Sequence, residues 1–166
     1  APVQNMCSGK GPLQVTDEQE ALYLACEMER RAIRMYERGQ LLARDPGVKA
    51  LMQKLQGDEQ THLARFCHLG DASLEGGDRE RQLLMQSYAA QVLFPGGLMQ
   101  AEREGALDSL KALLVFARDS EETAVRCYKG FASACERKEA GDMFLAIAME
   151  EQSHLKALEE QLSALN

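Results

Sequence analysis

The sequence lacks several patterns that would assign it to a functional class at once. Its 166 residues contain no apolar run near the ~20 residues that a membrane-spanning helix needs. Acidic residues outnumber basic ones by 26 to 19, and the net charge of −7 argues against a nucleic-acid or anionic-membrane partner, because either requires a basic surface. The five cysteines include no C-x-x-C pair, which argues against a disulfide framework, a zinc ribbon or a rubredoxin-type iron site.

Two further patterns are missing. No segment alternates apolar and polar residues between turn signals, so we expect no strands. The stretch Ala1 to Val15 has no basic start followed by an apolar core, so it does not read as a signal peptide, and a cytoplasmic location is expected. What is present is the 45% hydrophobic and 27% charged mix of a globular domain, at a length that suits one domain.

Four long helical patterns fill most of the chain. The first begins at Thr16, with Gln19 in a capping-box spacing, and the second begins at Asp45-Pro46. The four cover approximately residues 16–44, 45–69, 108–135 and 137–165. A loop at 70–77 and a short helix at 78–92 lie between the second and the third. The sequence therefore predicts an all-α fold: a flexible tail at residues 1–15, and a domain at 16–166 with four long helices and a long crossover between helices 2 and 3.

An internal repeat appears when the sequence is laid on itself with a shift of 92 residues. Each half then reads as a helical hairpin with E-x6-Y on its first helix and E-x-x-H on its second. In both halves 30 residues separate the two glutamates. The matched pairs are Glu29 and Glu121, Tyr36 and Tyr128, Glu59 and Glu151, and His62 and His154.

The repeated residues have the chemistry of a two-metal site. Positions i and i+3 share a helix face, so each E-x-x-H motif can direct a carboxylate and an imidazole at one point. With Glu29 and Glu121 this makes four carboxylates and two imidazoles, the ligand set of di-iron and di-manganese carboxylate bundles. Two divalent cations would cancel the four negative charges. Each metal would take one His and one Glu, with two Glu bridging. The alternative is that these are solvated Glu and ordinary, partly buried His residues.

Four neighbouring residues are candidates for supporting roles. Asp58 and Glu150 precede the E-x-x-H glutamates and could accept hydrogen bonds from the ring N–H of the opposite half's His; the alternative is that both are simply exposed. Tyr36 and Tyr128 lie two turns after the other glutamates and are the predicted catalytic residues. They would hydrogen-bond a carboxylate or supply a protective electron near the metals. The alternative is that they are core aromatics.

The doubled motif resembles the rubrerythrin-like branch of the ferritin-like superfamily over roughly Thr16 to Leu165. The resemblance implies an antiparallel four-helix bundle that binds two iron ions (or manganese) and reduces peroxide, or oxidises Fe(II) with O₂ or peroxide, in the setting of oxidative stress. Two features depart from rubrerythrins proper. The absence of C-x-x-C leaves no rubredoxin module, so a separate electron donor is expected. Ala124 replaces an additional carboxylate, which implies a more symmetric site.

Three functions follow in order of preference. The first is a di-iron oxidoreductase acting on H₂O₂ or O₂; the second is iron handling or storage with a ferroxidase site; the third is a non-catalytic helical scaffold. A homodimer is expected because the crossover contains the apolar residues Leu83, Leu84, Met85, Val92, Leu93 and Phe94. Cys26 and Cys127 are predicted as small core residues, although a thiol near a peroxide-reducing site is oxidisable.

Overall fold

The structure, a computed structural model, describes residues 3–4, 14–15, 17–75, 83 and 101–165. This part of the chain is mostly helical, which confirms the predicted all-α class. The four long helices are α1 (Glu18–Leu42), α2 (Pro46–Glu75), α3 (Leu110–Ala132) and α4 (Lys138–Leu165). None of the helices in the described ranges is both long enough and apolar enough to cross a membrane.

Short polar side chains cap the N-termini of the first three helices. The Asp17 carboxylate accepts a hydrogen bond from the backbone N–H of Glu20 at 2.8 Å, so Asp17 caps α1 and the expectation that Thr16 does so is wrong. The Asp45 carboxylate accepts from the next turn of α2 as predicted, with Pro46 as the first helical residue. Ser109 caps α3 in the same way.

The predicted helix ends are accurate except for α2. The spacing predicts an end near Leu69 and a loop from Gly70, but the helix continues to Glu75. One glycine inside a helix costs only about 1 kcal/mol, and Leu69 is buried in the core, where packing supports the turn that contains Gly70. The predicted short helix at 78–92 lies outside the described residues apart from Leu83, which is helical.

A short antiparallel strand pair precedes α1. Val3–Gln4 pairs with Gln14–Val15, two residues on each side, so the expectation of no strands is wrong in this detail. Val15 is buried among core residues at the start of α1. Most of the predicted tail at 1–15 lies outside the described residues, so the domain boundary stays a prediction.

The helices pack as two hairpins. α1 lies against α2, and α3 lies against α4; α1 also contacts α3, and α2 contacts α4. Two apolar clusters form the core: one includes Leu22, Phe66, Phe131 and Phe144, the other Met52, Leu55, Leu113 and Leu158. On each of the four helices the two clusters leave a gap at mid-length, and the predicted metal ligands fall in these gaps.

Candidate metal centre

Six ionisable side chains are buried at the middle of the four helices. In the described ranges they are the only Asp, Glu, His, Lys or Arg side chains in the interior, with exposures of 1% to 3%. They are Glu29 on α1, Glu59 and His62 on α2, Glu121 on α3, and Glu151 and His154 on α4. These are the six residues that the repeat predicts as metal ligands, and the fold brings all of them together.

The six residues form two groups of four that share two members. One group is Glu29, Glu59, His62 and Glu151; the other is Glu59, Glu121, Glu151 and His154. Within each group one potential ligand atom per residue lies within 4.8 Å of all the others. Glu59 and Glu151 belong to both groups, so their carboxylates lie between two points at which a cation could be held.

The Nδ1 atoms of the imidazoles face these carboxylates. His62 Nδ1 lies 2.7 Å from Glu151 Oε1, 3.3 Å from Glu59 Oε1 and 3.6 Å from Glu29 Oε1. His154 Nδ1 lies 3.1 Å from Glu59 Oε1, and 3.5 Å and 3.6 Å from the Oε1 atoms of Glu121 and Glu151. Each imidazole therefore faces the two shared glutamates and the unshared glutamate of its own half of the repeat.

Each of the six residues keeps one buried polar atom without a hydrogen-bond partner. These atoms are Glu29 Oε2, Glu59 Oε1, His62 Nδ1, Glu121 Oε2, Glu151 Oε1 and His154 Nδ1. The 2.7 Å contact between His62 and Glu151 has the length of a hydrogen bond but not its orientation. A buried polar atom without a partner is costly, and six around one point indicate ligands arranged for cations.

The Nε2 atoms of both imidazoles point away from the cluster towards exterior acids. His154 Nε2 lies 3.0 Å from Asp58 Oδ2, and His62 Nε2 lies 3.3 Å from Glu150 Oε2. Both contacts join opposite halves of the repeat, as the sequence predicts. A carboxylate at Nε2 fixes the proton there and leaves Nδ1 as the ligand atom.

Basic residues hold the two exterior acids in place. Lys54 pairs with Asp58 at 2.8 Å, and Arg65 pairs with Glu150 at 3.1 Å. Partial burial opposes ionisation of Asp58, but its hydrogen bonds from Lys54 and His154 lower its pKa. Asp58 is therefore a carboxylate that accepts the imidazole N–H.

The two predicted tyrosines donate hydrogen bonds across the helices. Tyr36 on α1 donates to Glu121 Oε1 on α3 at 2.5 Å, and Tyr128 on α3 donates to Glu29 Oε1 on α1 at 2.7 Å. Burial and nearby carboxylates raise the pKa of both phenols, so each keeps its proton. Both tyrosines thus contact the unshared glutamates and are placed to orient them, whereas a catalytic role stays a prediction.

Protons compensate the buried negative charge in the metal-free protein. Burial, together with the charges of neighbouring glutamates, raises the pKa of Glu59 and of Glu151. Burial alone would lower the pKa of His62, but contacts with Glu151 and Glu29 raise it to about 10. Cations that bind to these atoms must therefore displace protons.

A small cavity adjoins the cluster between α1 and α3. It has about 20 Å³ of room, enough for one water-sized molecule. Its walls are largely apolar, and it reaches three of the buried glutamates. The lining residues are Met28, Arg31, Ala32, Met35, Glu59, Phe116, Ser120, Glu121, Ala124, Tyr128 and Glu151. Nothing in the motif spacing predicts this cavity, although the small side chain of Ala124 is a signal that could have indicated it.

Cysteines occupy one flank of the site. Cys26 and Cys127 are buried, as predicted, and Cys127 is in addition disulfide-bonded, which the sequence did not predict. The Cys26 sulfur lies 3.7 Å from that of Cys67, a residue that belongs to neither repeated motif. Both thiols of this pair are free. The pairing depends on the packing of α1 against α2, so spacing along the chain does not reveal it.

The cluster identifies residues that could hold metal ions, but it does not identify a protein family. Buried Glu and His groups on four helices converge in two overlapping sets, and each set could hold a cation. No protein-family model matches the chain, and comparisons with curated proteins and with solved structures find no match either.

Proposed function

We propose that this chain is a ferritin-like, non-haem di-iron carboxylate protein that reduces hydrogen peroxide. The observation that carries the proposal is the pair of ligand groups sharing Glu59 and Glu151, with one unpartnered buried atom in every member. Manganese is the alternative metal, because carboxylate oxygens and imidazole nitrogens suit both ions. The two hairpins and the connection from α2 to α3 are compatible with a ferritin-like bundle.

The donor set fits two divalent cations in number and in charge. Glu29 and His62 would hold one ion, Glu121 and His154 would hold the other, and the two shared glutamates would bridge them. Four ionised carboxylates supply a charge of −4, which two divalent ions neutralise. Without cations this set of buried charges is costly, since burial penalises each carboxylate and their mutual repulsion adds to the penalty.

The surrounding residues would keep the ligands in a fixed geometry. Tyr36 and Tyr128 hold the unshared glutamates through their hydroxyls. Asp58 and Glu150 face the outer nitrogens of the imidazoles. Ligands restrained in this way lose little freedom when an ion binds, which favours affinity and fixes the ion near the cavity.

The cavity favours a small neutral substrate. When bound, iron would supply the change of oxidation state and would polarise the peroxide bond. The cavity has room for a molecule the size of water, its walls are mostly apolar, and Arg31 is its one basic lining residue. The small space suits H₂O₂ better than Fe(II) with its hydration shell, which is too large for it. The overall reaction takes two electrons and two protons and converts H₂O₂ to two molecules of water.

Metal loading tests the proposal directly. Metal-free protein is loaded with Fe(II) under anaerobic conditions, desalted, and assayed for iron content and for peroxide consumption. We expect two iron ions per chain in the wild type. Glu59→Gln and Glu151→Gln remove a bridging ligand from both ions, so both variants should lose nearly all iron and at least about 100-fold of the activity, more than the loss typical of an outer hydrogen-bond partner.

Glu122→Gln is the matched control. Glu122 adjoins the ligand Glu121 in sequence but is exposed, so this variant should bind two iron ions and retain full activity. Wild-type protein that binds less than one iron per chain would contradict the metal centre. Iron-loaded protein that oxidises Fe(II) with O₂ but leaves peroxide intact would identify a ferroxidase instead. Unchanged peroxide consumption in Glu59→Gln would show that the reaction does not need the buried glutamates, and it would favour a helical bundle that is only a scaffold.

A further inference from the structure

A pair of free thiols lies beside the candidate metal centre. Cys26 on α1 is one helical turn before Glu29, and Cys67 on α2 is five residues after His62. The two sulfur atoms are 3.7 Å apart. The Cys26 side chain is buried and Cys67 is half-buried, so one sulfur of the pair is in the core and the other is nearer to solvent.

The pair stands outside the internal repeat. A shift of 92 residues places Arg118 opposite Cys26 and Glu159 opposite Cys67. The metal ligands, the tyrosines and the exterior acids all occur in both halves, whereas these thiols occur in the first half only. Symmetric metal binding therefore does not account for them, and a buried thiol in contact with a half-buried one calls for an explanation of its own.

We propose that Cys26 and Cys67 are a dithiol–disulfide couple that supplies the two electrons for peroxide reduction. This inference rests on the proposed function, since it places the reduction of peroxide at the neighbouring metal centre. The balance is one H₂O₂ and two thiols giving two waters and one disulfide. The O–O bond and two S–H bonds break, one S–S bond forms, and both thiol protons pass to the peroxide oxygens. Sulfur is oxidised and oxygen is reduced.

The geometry suits this exchange. A disulfide requires its sulfurs at about 2.05 Å, and the two already in contact at 3.7 Å can approach through side-chain rotation. Cys26 lies one helical turn before Glu29 on α1, which places the thiol pair close to a candidate metal ligand. A small thiol could regenerate the dithiol from the Cys67 side by thiol–disulfide exchange.

The test measures oxidation of the two thiols together with consumption of peroxide. Iron-loaded full-length protein is treated under anaerobic conditions with a mild thiol reductant, freed of it, and given one equivalent of H₂O₂. Samples are quenched at intervals with an alkylating agent and analysed by intact mass and peptide mapping. We expect two fewer alkyl groups per chain after peroxide treatment and a cross-linked peptide pair that contains Cys26 and Cys67, formed in step with peroxide consumption.

Three variants make the result specific. Cys26→Ala and Cys67→Ser should bind two iron ions and form no such cross-link, and their turnover with a thiol reductant should fall by at least about tenfold. The matched control is Cys135→Ser, because Cys135 is also a free, partly buried cysteine, but its sulfur contacts a backbone carbonyl. This control should bind two iron ions, form the cross-link between Cys26 and Cys67, and turn over at the wild-type rate.

The metal-free variant Glu59→Gln separates this inference from the proposed function. Disulfide formation at least about tenfold slower in Glu59→Gln than in the iron-loaded wild type would support coupling between the thiols and the metal centre. Equal rates in both would overturn the coupling, as would consumption of peroxide with both thiols still open to alkylation. Failure of the wild type to bind iron is recorded by the metal analysis and would overturn the proposed function and the coupling together.

Discussion

The two halves of the molecule have matching ligands in different surroundings. In each half an imidazole Nδ1 faces the same kinds of carboxylate, an Nε2 faces an exterior acid, and a tyrosine binds the glutamate of the other half. The thiol pair, by contrast, belongs to the first half alone. The tyrosines and acids that contact the six buried residues are thus repeated together with them, whereas the flank that contains the thiols is not.

The two tyrosines illustrate the same contrast. Tyr128 packs against Phe66, Phe131 and Phe144, with ring centroids 5.3 to 6.3 Å apart. Tyr36 lies among aliphatic and methionine side chains in the other core cluster. Aromatic rings in contact restrict one another, whereas methionine adapts its shape readily. We expect the Tyr128 end of the site to be the more rigid.

Among variants that compare the two halves, the largest effect should come from replacing the unshared glutamate of each half in turn. Glu29→Gln removes a ligand from one predicted metal position and Glu121→Gln from the other. If the halves are equivalent in binding, each variant should retain about one iron per chain, and peroxide consumption should fall at least about 100-fold, because the paired ions act together. Iron content and initial rates measure this. Complete iron loss in only one variant would show that the two positions fill in a fixed order.

A smaller effect is expected from the tyrosine hydroxyls. Tyr128→Phe and Tyr36→Phe each remove one hydrogen bond to a glutamate, and loss of such a partner costs about 10- to 100-fold in metal affinity. Because the aromatic cluster restricts the Tyr128 ring, its hydroxyl should restrain Glu29 more tightly than the Tyr36 hydroxyl restrains Glu121, and Tyr128→Phe should be the more damaging. Competition with a chromophoric chelator measures both affinities. Equal losses would refute the difference in rigidity.

Without metal ions, the stability of the protein should depend on pH. The pKa of Glu59, Glu151 and His62 is raised in the folded state, so the folded chain binds protons more tightly than the unfolded chain. This stabilisation is complete below the unfolded values and is lost as the pH rises through the folded ones, at about 1.4 kcal/mol per pH unit for each proton.

For His62 the loss should extend from about pH 6.5 to about 10. Thermal unfolding of metal-free protein should therefore shift to lower temperature across this range, whereas iron-loaded protein should change much less, because ions replace the protons. Glu122→Gln should follow the wild-type curve, since this exposed residue lies outside the buried set. A metal-free unfolding temperature that stays constant or rises over this range would contradict the linkage.

Regular patterns in the sequence were sufficient for most of the fold and for the six clustered residues. Helical periodicity and caps such as Asp45 place the four helices within a few residues, because these signals act locally. The exception is the end of α2, where packing of Leu69 outweighs the helix-breaking tendency of Gly70. Spacing of i and i+3 is a property of any helix, so the sequence alone matches Glu59 with His62 and Glu151 with His154.

Other features depend on which helices meet. The cavity between α1 and α3 and the contact between Cys26 and Cys67 arise from packing, and no spacing along one helix contains them. The same holds for the choice of shared ligands: the motif spacing does not distinguish a shared glutamate from an unshared one, and only the arrangement of the helices places Glu59 and Glu151 in both groups.

The sequence by itself determined the helices, the repeat and the identity of the six clustered side chains, because these follow from local periodicity and from residue chemistry. The tertiary structure decided which glutamates are shared, which tyrosine holds which carboxylate, and which cysteines meet. Those outcomes depend on distances between helices that are far apart in the chain, and packing of the whole core sets such distances.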